Sequence, residues 1–468
     1  MAGIPAQPQD AAETRRLEPQ KPPAGLPADS ACGAAREPAP QALHHPATAI
    51  DSRLLRKAFA QLEPQSDKAA AYFYGNLFLR HPEMRAMFPL AMDAQRRRLF
   101  EALAGCVWGA GQEEALTAYL ADLARDHRKF GVTGKHYRHF SDALLASLHD
   151  FRLAWGEETW AAWEALVSRI TTTMASAADA AASEPAWWLG EVVRHERRGS
   201  DVAVLTVRAE GAQPLRYRPG QCISIQVPQW PRVWRCYSVA NAPRADGTLD
   251  LHVRAVPGGR VSCLLVEQAR PGDGLVIGPA RGSMTMAAAA GSGSILCVAG
   301  GTGLAPLKAL AEELAAAGAG APPVRLLVGA RHHGDLYDLP DLERLAAGCP
   351  SLTVIPVAPA RGLARPAALP AAAAAQLTPD TADIFVCGPD GMVRATIRRL
   401  AALAPGARIH ADVPGARRPG RRSRQPSAGT AGETADGRRT LRPALTASRP
   451  GSDPPAPAAR RPRRARAS

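Results

Sequence analysis

Three stretches of the chain carry residue types that bind nucleotide-like cofactors, at workable spacings. In Arg235-Cys-Tyr-Ser238 a cation, an aromatic and a hydroxyl fall within four residues. Tyr237 can pack on a planar ring, Ser238 can hydrogen-bond its polar edge, and Arg235 can clamp a pyrophosphate, which together suit a flavin. The same four residues also fit an ordinary strand with one paired arginine and one buried tyrosine. Further on, an apolar run at 294–299 leads into Gly300-Gly301-Thr302-Gly303-Leu-Ala-Pro. Glycines at a strand-to-helix turn let a phosphate approach backbone amides where the helix dipole favours an anion. A tight turn without ligand has the same signature. A second loop, Cys387-Gly388-Pro389-Asp-Gly-Met, follows the run 383–386. In an open α/β sheet both loops lie at the carboxyl ends of strands, where ligands bind, and the pair points to a nicotinamide dinucleotide. Cys387 falls beside the nicotinamide in that arrangement, although a small packed residue would look no different.

Between these stretches lies Pro257-Gly-Gly259-Arg-Val261-Ser262, whose amides and hydroxyl can receive phosphates. A hairpin turn is the competing assignment. Upstream, His127 in Leu-Ala-Arg-Asp-His-Arg-Lys-Phe can donate a neutral imidazole to iron. A lone helical histidine is more often a surface residue.

The elements that must hold these groups follow from periodicity. Residues 1–48 are rich in Pro, Ala and Gln and poor in large apolar side chains, so they are expected to be disordered. Asp51-Ser52 offers a helix cap before Leu54, Leu55 and Phe59, and a helical stripe continues through Tyr72, Phe73, Leu77 and Phe78 until Pro82 stops it. Further helices are predicted over about 93–110, 113–130, 135–150 and 157–182, giving an all-α domain over 49–183. From Glu184-Pro185 the period becomes two, and short strands around 191–193, 203–207, 222–227 and 250–254 predict an antiparallel β-barrel over 184–288. Strands at 294–299, 324–328, 352–355 and 383–387 alternate with Ala/Leu-rich helices, which predicts a doubly wound α/β domain over 289–413.

The net charge of +14 is unevenly placed. Residues 414–468 hold 14 Arg, no Lys and 3 acids, against 43 basic and 40 acidic residues in the remainder. The folded part is thus nearly balanced, and nothing there favours nucleic acid as a partner. The Arg/Pro-rich tail is expected to be disordered and to play no part in the chemistry. An altered reading frame in a GC-rich gene would produce it, as would a basic arm for nucleic acid or anionic membrane. Eight scattered cysteines without a C-x-x-C pair suit reduced thiols, and no apolar run reaches membrane-spanning length. A cytoplasmic protein is expected, monomeric or weakly dimeric.

Taken in order, Arg235-x-Tyr-Ser, Gly258-Gly-x-Val-Ser, Gly300-Gly-Thr-Gly-x-x-Pro and Cys387-Gly-Pro resemble the ferredoxin reductase-like family. The helical domain before them resembles a globin, and the combination, over about 49–413, resembles the flavohaemoproteins (nitric oxide dioxygenases). The resemblance implies haem b, FAD and NADH or NADPH as cofactors, with oxygen and nitric oxide as small-molecule partners. It further implies His127 as the proximal iron ligand, Phe88 as the haem-wedging phenylalanine, and Tyr74 with Gln95 as the distal pair that hydrogen-bonds oxygen. Leu99 matches the apolar distal wall, and Tyr137 the tyrosine beside the proximal histidine.

Two positions depart from the family. Ala178 stands where the family has a glutamate that hydrogen-bonds the proximal histidine, with Asp179 on another helix face. Losing that carboxylate weakens the electron push toward O–O cleavage. After Phe385 the chain has no Phe, Trp or Tyr, so the family's aromatic cover over the flavin is missing beyond Ile409-His410-Ala-Asp-Val413. Both departures keep alternatives open: a haem reductase, a peroxidase-like, alkyl-hydroperoxide or lactate-linked oxidoreductase, or an oxygen-binding or redox-sensing protein. Arg331, after the second α/β strand, suits the 2′-phosphate of NADPH or a loop cap.

Overall fold

The computed structural model describes residues 50–151, 155–211, 213–286, 293–358 and 368–412. The N-terminal segment and the Arg/Pro-rich tail, with their predicted disorder, lie outside the described residues.

The helical domain holds α1 (Ser52–Leu62), α2 (Ser66–Arg80), α3 (Asp93–Gly109), α4 (Glu113–His127), α5 (Gly134–Asp150) and α6 (Glu157–Ala180). Asp51 caps α1, its carboxylate accepting the Arg53 and Leu54 amides at 2.8 and 3.2 Å. Pro82 ends α2, as its lack of an N–H requires. The helix expected over 113–130 stops as an α-helix at His127. Residues 128–130 tighten into a 3₁₀ turn, and Gly131 closes it at φ +79°. Apolar stripes from all six helices meet in one core around Trp163, Phe59, Phe73, Leu116 and Leu120. Burying one such side chain contributes roughly 1.5–3 kcal/mol, so the packing outweighs the modest propensities of these helices.

Next come β1 (Trp188–Arg197), β2 (Val202–Glu210), β3 (Cys222–Gln226), β4 (Arg235–Ser238), β5 (Thr248–Arg254), α7 (Arg260–Glu267) and β6 (Gly274–Ile277). The sheet order β4-β3-β6-β1-β2-β5 is antiparallel, and a bridge between Val239 and Leu251 draws its two edges together into a near-barrel. The stretch after β5 is not a hairpin. Gly259 is the cap of α7, which crosses back under the sheet with Val261, Leu265 and Val266 in the barrel core.

The last domain contains β7 (Ser294–Gly300), α8 (Leu304–Ala316), β8 (Val324–Gly329), α9 (Leu339–Ala347), β9 (Leu352–Val357), α10 (Ala368–Ala375), β10 (Thr381–Cys387), α11 (Asp390–Leu403) and β11 (Arg408–Asp412). All five strands are parallel in the order β11-β10-β7-β8-β9. The order reverses direction between β7 and β10, so the loops leaving those two strands flank the switch point. Among the described residues, no helix is long and apolar enough to cross a membrane.

Candidate functional site

A single cavity of about 2530 Å³ runs from the interior of the helical domain, past β4, to the loops leaving β7 and β10. At its helical end, His127 sits on the last turn of α4. Its Nδ1 lies 2.6 Å from the Leu123 carbonyl, so Nδ1–H donates there and the Nε2 lone pair is left to face the cavity. Burial is the main cause holding the ring below the ordinary histidine range, and hence neutral. A neutral, oriented imidazole is the state that donates to iron.

Opposite, Tyr74 on α2 is buried, and the Gln95 side chain on α3 lies close enough to its hydroxyl to offset part of the effect of burial. Burial pushes that phenol well above its usual pKa, so it stays a donor. Phe88 packs edge-on to Tyr74 with ring centroids 5.4 Å apart, and meets Phe78 at 5.2 Å. Its loop is pinned by Arg85, which donates to the carbonyls of Phe88 and Pro89 at 3.2 and 3.1 Å. Leu99, Leu103, Ile170 and Met174 make the remaining wall apolar. These donors and this apolar slot fit a haem.

Tyr137 lines the cavity on α5, buried, and its hydroxyl has no hydrogen-bond partner among the described residues. Ala178 is buried nearby in the same core, while Asp179 is exposed. Burial first, and the negative field of Asp179 second, push the Tyr137 phenol upward. A carboxylate that would accept from this hydroxyl is therefore missing from the wall.

On β4, Arg235, Tyr237 and Ser238 all face the cavity. Arg235 donates to the Trp234 carbonyl at 2.9 Å, and no carboxylate pairs with it among the described residues. Arg235 and Arg281 both lie close enough to Arg98 that each helps depress its guanidinium, after burial itself. Such a concentration of cations in a cleft calls for an anion, and a flavin pyrophosphate or haem propionates supply one. Gly259 and Ser262 reach the cavity wall, and the Ser262 hydroxyl accepts the Val256 amide at 3.2 Å to fix the loop. Val261 does not reach it: the side chain is 1% exposed inside the barrel core, because α7 turns that face inward. Only its amide, in the first turn of α7, is available to a phosphate.

At the far end, Gly301, Thr302, Gly303, Cys387, Gly388 and Pro389 line the cavity together. A Cβ on Gly303 would sit 2.5 Å from the Cys387 carbonyl, so the two loops touch through backbone. Gly301 has φ +55°, which favours glycine. Arg331 also lines this end and is exposed. Beyond Ile409 and His410 the chain leaves the described residues after Asp412, and His410 stacks on Phe385 at 4.5 Å.

Four further groups escaped the sequence reading. Asp126 and Lys129 flank His127 and reach into the barrel: Lys129 Nζ meets Asp126 at 2.6 Å and Ser224 at 2.9 Å, and Arg281 meets Asp126 at 2.8 Å. Burial alone would raise Asp126, but Lys129 and Arg281 outweigh it and hold the carboxyl below its usual range. Lys129 also lies over the rings of Phe130 and Trp234, at 5.1 and 5.0 Å. Ser224 pairs with Cys236 in the β3–β4 ladder, so this ionic bridge joins the turn bearing His127 to the strand bearing Arg235. The fourth group, His252, lines the cavity from β5 with Nδ1 2.8 Å from the Tyr337 hydroxyl, and burial lowers it to about 3. Asp126 and Lys129 have the i,i+3 spacing of a helical pair, but their reach to Arg281 and Ser224, like that of His252 to Tyr337, depends on partners from another domain.

Comparison with known proteins gives three consecutive family matches. Residues 71–174 match the globin model, 190–286 the oxidoreductase FAD-binding domain, and 297–398 the oxidoreductase NAD-binding domain. A flavohemoprotein of Chromobacterium violaceum is 26% identical over 393 residues, covering 77% of this chain and 96% of that protein. The ferredoxin–NAD(P)(+) reductase component of the naphthalene 1,2-dioxygenase system of Pseudomonas putida is 36% identical over 165 residues, and the match spans 48% of its length. The corresponding component of the naphthalene 1,2-dioxygenase/salicylate 5-hydroxylase systems of Ralstonia sp. is 32% identical over 231 residues, 68% of its length and 48% of this chain. A crystal structure of flavohemoglobin from Malassezia yamatoensis, with bound FAD and heme, shares the fold with a TM-score of 0.62 at 16% identity. It covers 78% of this chain and 99% of its own.

Proposed function

Because the chain belongs to the flavohaemoprotein family, a globin fused to FAD-binding and NAD-binding oxidoreductase domains, we propose that it converts nitric oxide and oxygen to nitrate. In that reaction one nitric oxide, one oxygen and one electron give one nitrate. The chain is an NAD(P)H-dependent oxidoreductase with haem, FAD and a nicotinamide dinucleotide as cofactors. The observation that carries the reading is the unbroken cavity, walled in turn by His127 and Tyr74, by Arg235 to Ser238, and by Gly301 to Gly303 with Cys387. When bound, the three groups supply hydride acceptance, single-electron transfer and oxygen chemistry.

The chain's own residues bind, orient and exclude water. His127 offers its Nε2 lone pair because Leu123 holds the other nitrogen's proton. The Tyr74 hydroxyl, with Gln95 close by, donates toward the distal space, while Phe88 and Leu99 keep water from it. Arg235 takes the flavin pyrophosphate, with amides at Gly259 and Val261 and the Ser262 hydroxyl assisting. Tyr237 covers a ring face and Ser238 its polar edge. Gly301, Thr302 and Gly303 admit the nicotinamide dinucleotide to the end of α8, and Gly388 and Pro389 shape the opposite side with Cys387 beside the ring.

A second reading keeps the electron chain without nitric oxide turnover. The buried, unpartnered Tyr137 hydroxyl, in the same core as Ala178, favours it, since the proximal side lacks the carboxylate that strengthens donation by the histidine. Absorption spectra of the purified protein before and after NADH, with and without nitric oxide, separate the two. Haem reduction by NADH with stoichiometric nitrate supports the first reading. Haem reduction without nitrate leaves the second, and no haem reduction overturns both.

A further inference from the structure

We propose that His81, Glu83 and His139 form a site for one divalent transition-metal ion of the zinc, nickel or copper class, on the outer side of the helical domain where α2 meets α5. One donor atom from each residue lies within 4.8 Å of the others. A zinc-class ion with nitrogen and oxygen ligands at about 2.0–2.2 Å needs donors about 3–3.5 Å apart. Side-chain rotation of roughly an ångström per residue closes the difference.

The backbone that carries the three groups is well fixed. His81 is the C-cap of α2, with its amide bonded to the Leu77 carbonyl at 2.9 Å. Pro82 starts the next turn, and the Met84 amide returns to the His81 carbonyl at 3.1 Å, which holds Glu83 beside the ring. The carboxylate of Glu83 already lies 3.7 Å from His81 Nδ1. His139 arrives from the second turn of α5, and its ring stacks on that of His81 with centroids 3.7 Å apart. A third histidine, His136, is 6.4 Å from His139 but is committed to the helix start: its Nδ1 accepts the Thr133 amide at 2.9 Å. The site is therefore a two-histidine, one-carboxylate set whose remaining positions are open to water.

Donor chemistry selects the metal class. Imidazole nitrogens favour zinc, nickel and copper, whereas calcium and magnesium require mainly oxygen ligands. An ion held here ties the end of α2, the helix that carries Tyr74, to α5, which carries Tyr137. It lies outside the cavity and does not depend on the nitric oxide reading, because none of its three residues lines that cavity.

The test uses the full-length protein loaded with haem and FAD, titrated with zinc chloride against a chromophoric chelator. One zinc per chain is expected, with His81→Asn and His139→Asn each weakening binding at least tenfold. His149→Asn, an exposed histidine at the far end of α5, should leave binding unchanged. Wild-type-like binding by both His81→Asn and His139→Asn overturns the site. So does an equal loss in His149→Asn, or zinc that departs only with Cys236→Ser. Circular dichroism without metal guards against misfolding, since the metal-free variants should melt with the wild type. Cobalt in place of zinc gives absorption bands that should shift in Glu83→Gln, and unshifted bands remove Glu83 from the ligand set.

Discussion

Replacing Asp126 by asparagine strikes the seam between the helical domain and the barrel. The Asp126 carboxylate accepts from Lys129 at 2.6 Å and from Arg281 at 2.8 Å. Side-chain exposures are 10% for Asp126, 2% for Lys129 and 29% for Arg281, so the lysine pair is nearly dry and the arginine keeps some solvent. Neutralising the carboxylate leaves two cations facing one another, and orphaning a buried charge costs about 3–5 kcal/mol. The partial exposure of Arg281 places the expected cost near the low end, about 3 kcal/mol. Lys129→Met is the informative partner. It removes a cation, yet Asp126 keeps Arg281, and the unbranched side chain still fills the space by Phe130 and Trp234, so about 1 kcal/mol is expected. Amide hydrogen exchange over residues 128–131 and 230–235 reads the opening of the seam. A cost of 3 kcal/mol corresponds to exchange about 150-fold faster, and 1 kcal/mol to about fivefold. The loosened seam should also show in function: NADH-driven haem reduction should slow in Asp126→Asn while flavin reduction by NADH keeps its rate. Exchange within threefold of wild type in Asp126→Asn, or a larger effect from Lys129→Met, would refute the bridge as the element joining the two domains.

His127→Ala should lose tightly held haem while flavin content stays, and an unaltered Soret band in the variant would remove His127 as the iron ligand. Tyr74→Phe should speed oxygen dissociation at least about tenfold, given the 1.5–3 kcal/mol of a charge-assisted hydrogen bond, and stopped-flow measurement of an unchanged rate would move that role to Gln95. Arg235→Ala should lower flavin occupancy with haem intact, as judged by cofactor extraction; equal occupancy would reduce Arg235 to a surface side chain. In the β10–β11 pair, Asp383 opposes burial with hydrogen bonds from Arg408, at 2.9 and 2.7 Å, and His410 at 2.8 Å, which together hold its carboxyl below the usual range. A depressed acid stabilises the fold above its unfolded pKa and loses that contribution as pH falls through its folded value. Asp383→Asn should therefore destabilise at neutral pH and flatten the acid limb of a melting-temperature profile; an acid limb as steep as wild type would contradict this.

How much of this was legible beforehand depends on the range over which each interaction acts. The helices around Phe59, Phe73 and Leu77 and the parallel strands ending at Gly300 and Cys387 were visible because periodicity and Gly/Pro punctuation are local properties. The loops at 300–303 and 387–389 were visible for the same reason, since a phosphate-binding turn is specified within a few residues of backbone. Short elements were lost. The eight residues of α7 and the four of β6 give too few turns or alternations to show a period, and the start of α7 was read as a phosphate-receiving loop with a hairpin turn as the competing assignment. Val261 entered the reading through its amide, but which way its side chain turns was not legible, because the direction of a helix face is set by what it packs against, here the barrel core.

Tertiary structure alone decided the charged seam and the state of the proximal side. Asp126 and Arg281 are 155 residues apart and Lys129 and Ser224 are 95 apart, so no spacing rule links them. Arg98 gained its place beside Arg235 and Arg281 only when α3 met the barrel. Ala178 was legible as a missing carboxylate, but the consequence, a Tyr137 hydroxyl buried without a partner, required knowing that α5 and α6 bring the two into one core. Local sequence determines which elements form and which turns admit a phosphate, because those depend on backbone geometry within reach of a few bonds. Which charges end up facing one another across a dry interface depends on how whole domains pack, and that is settled by the sum of buried surface rather than by any one stretch of chain.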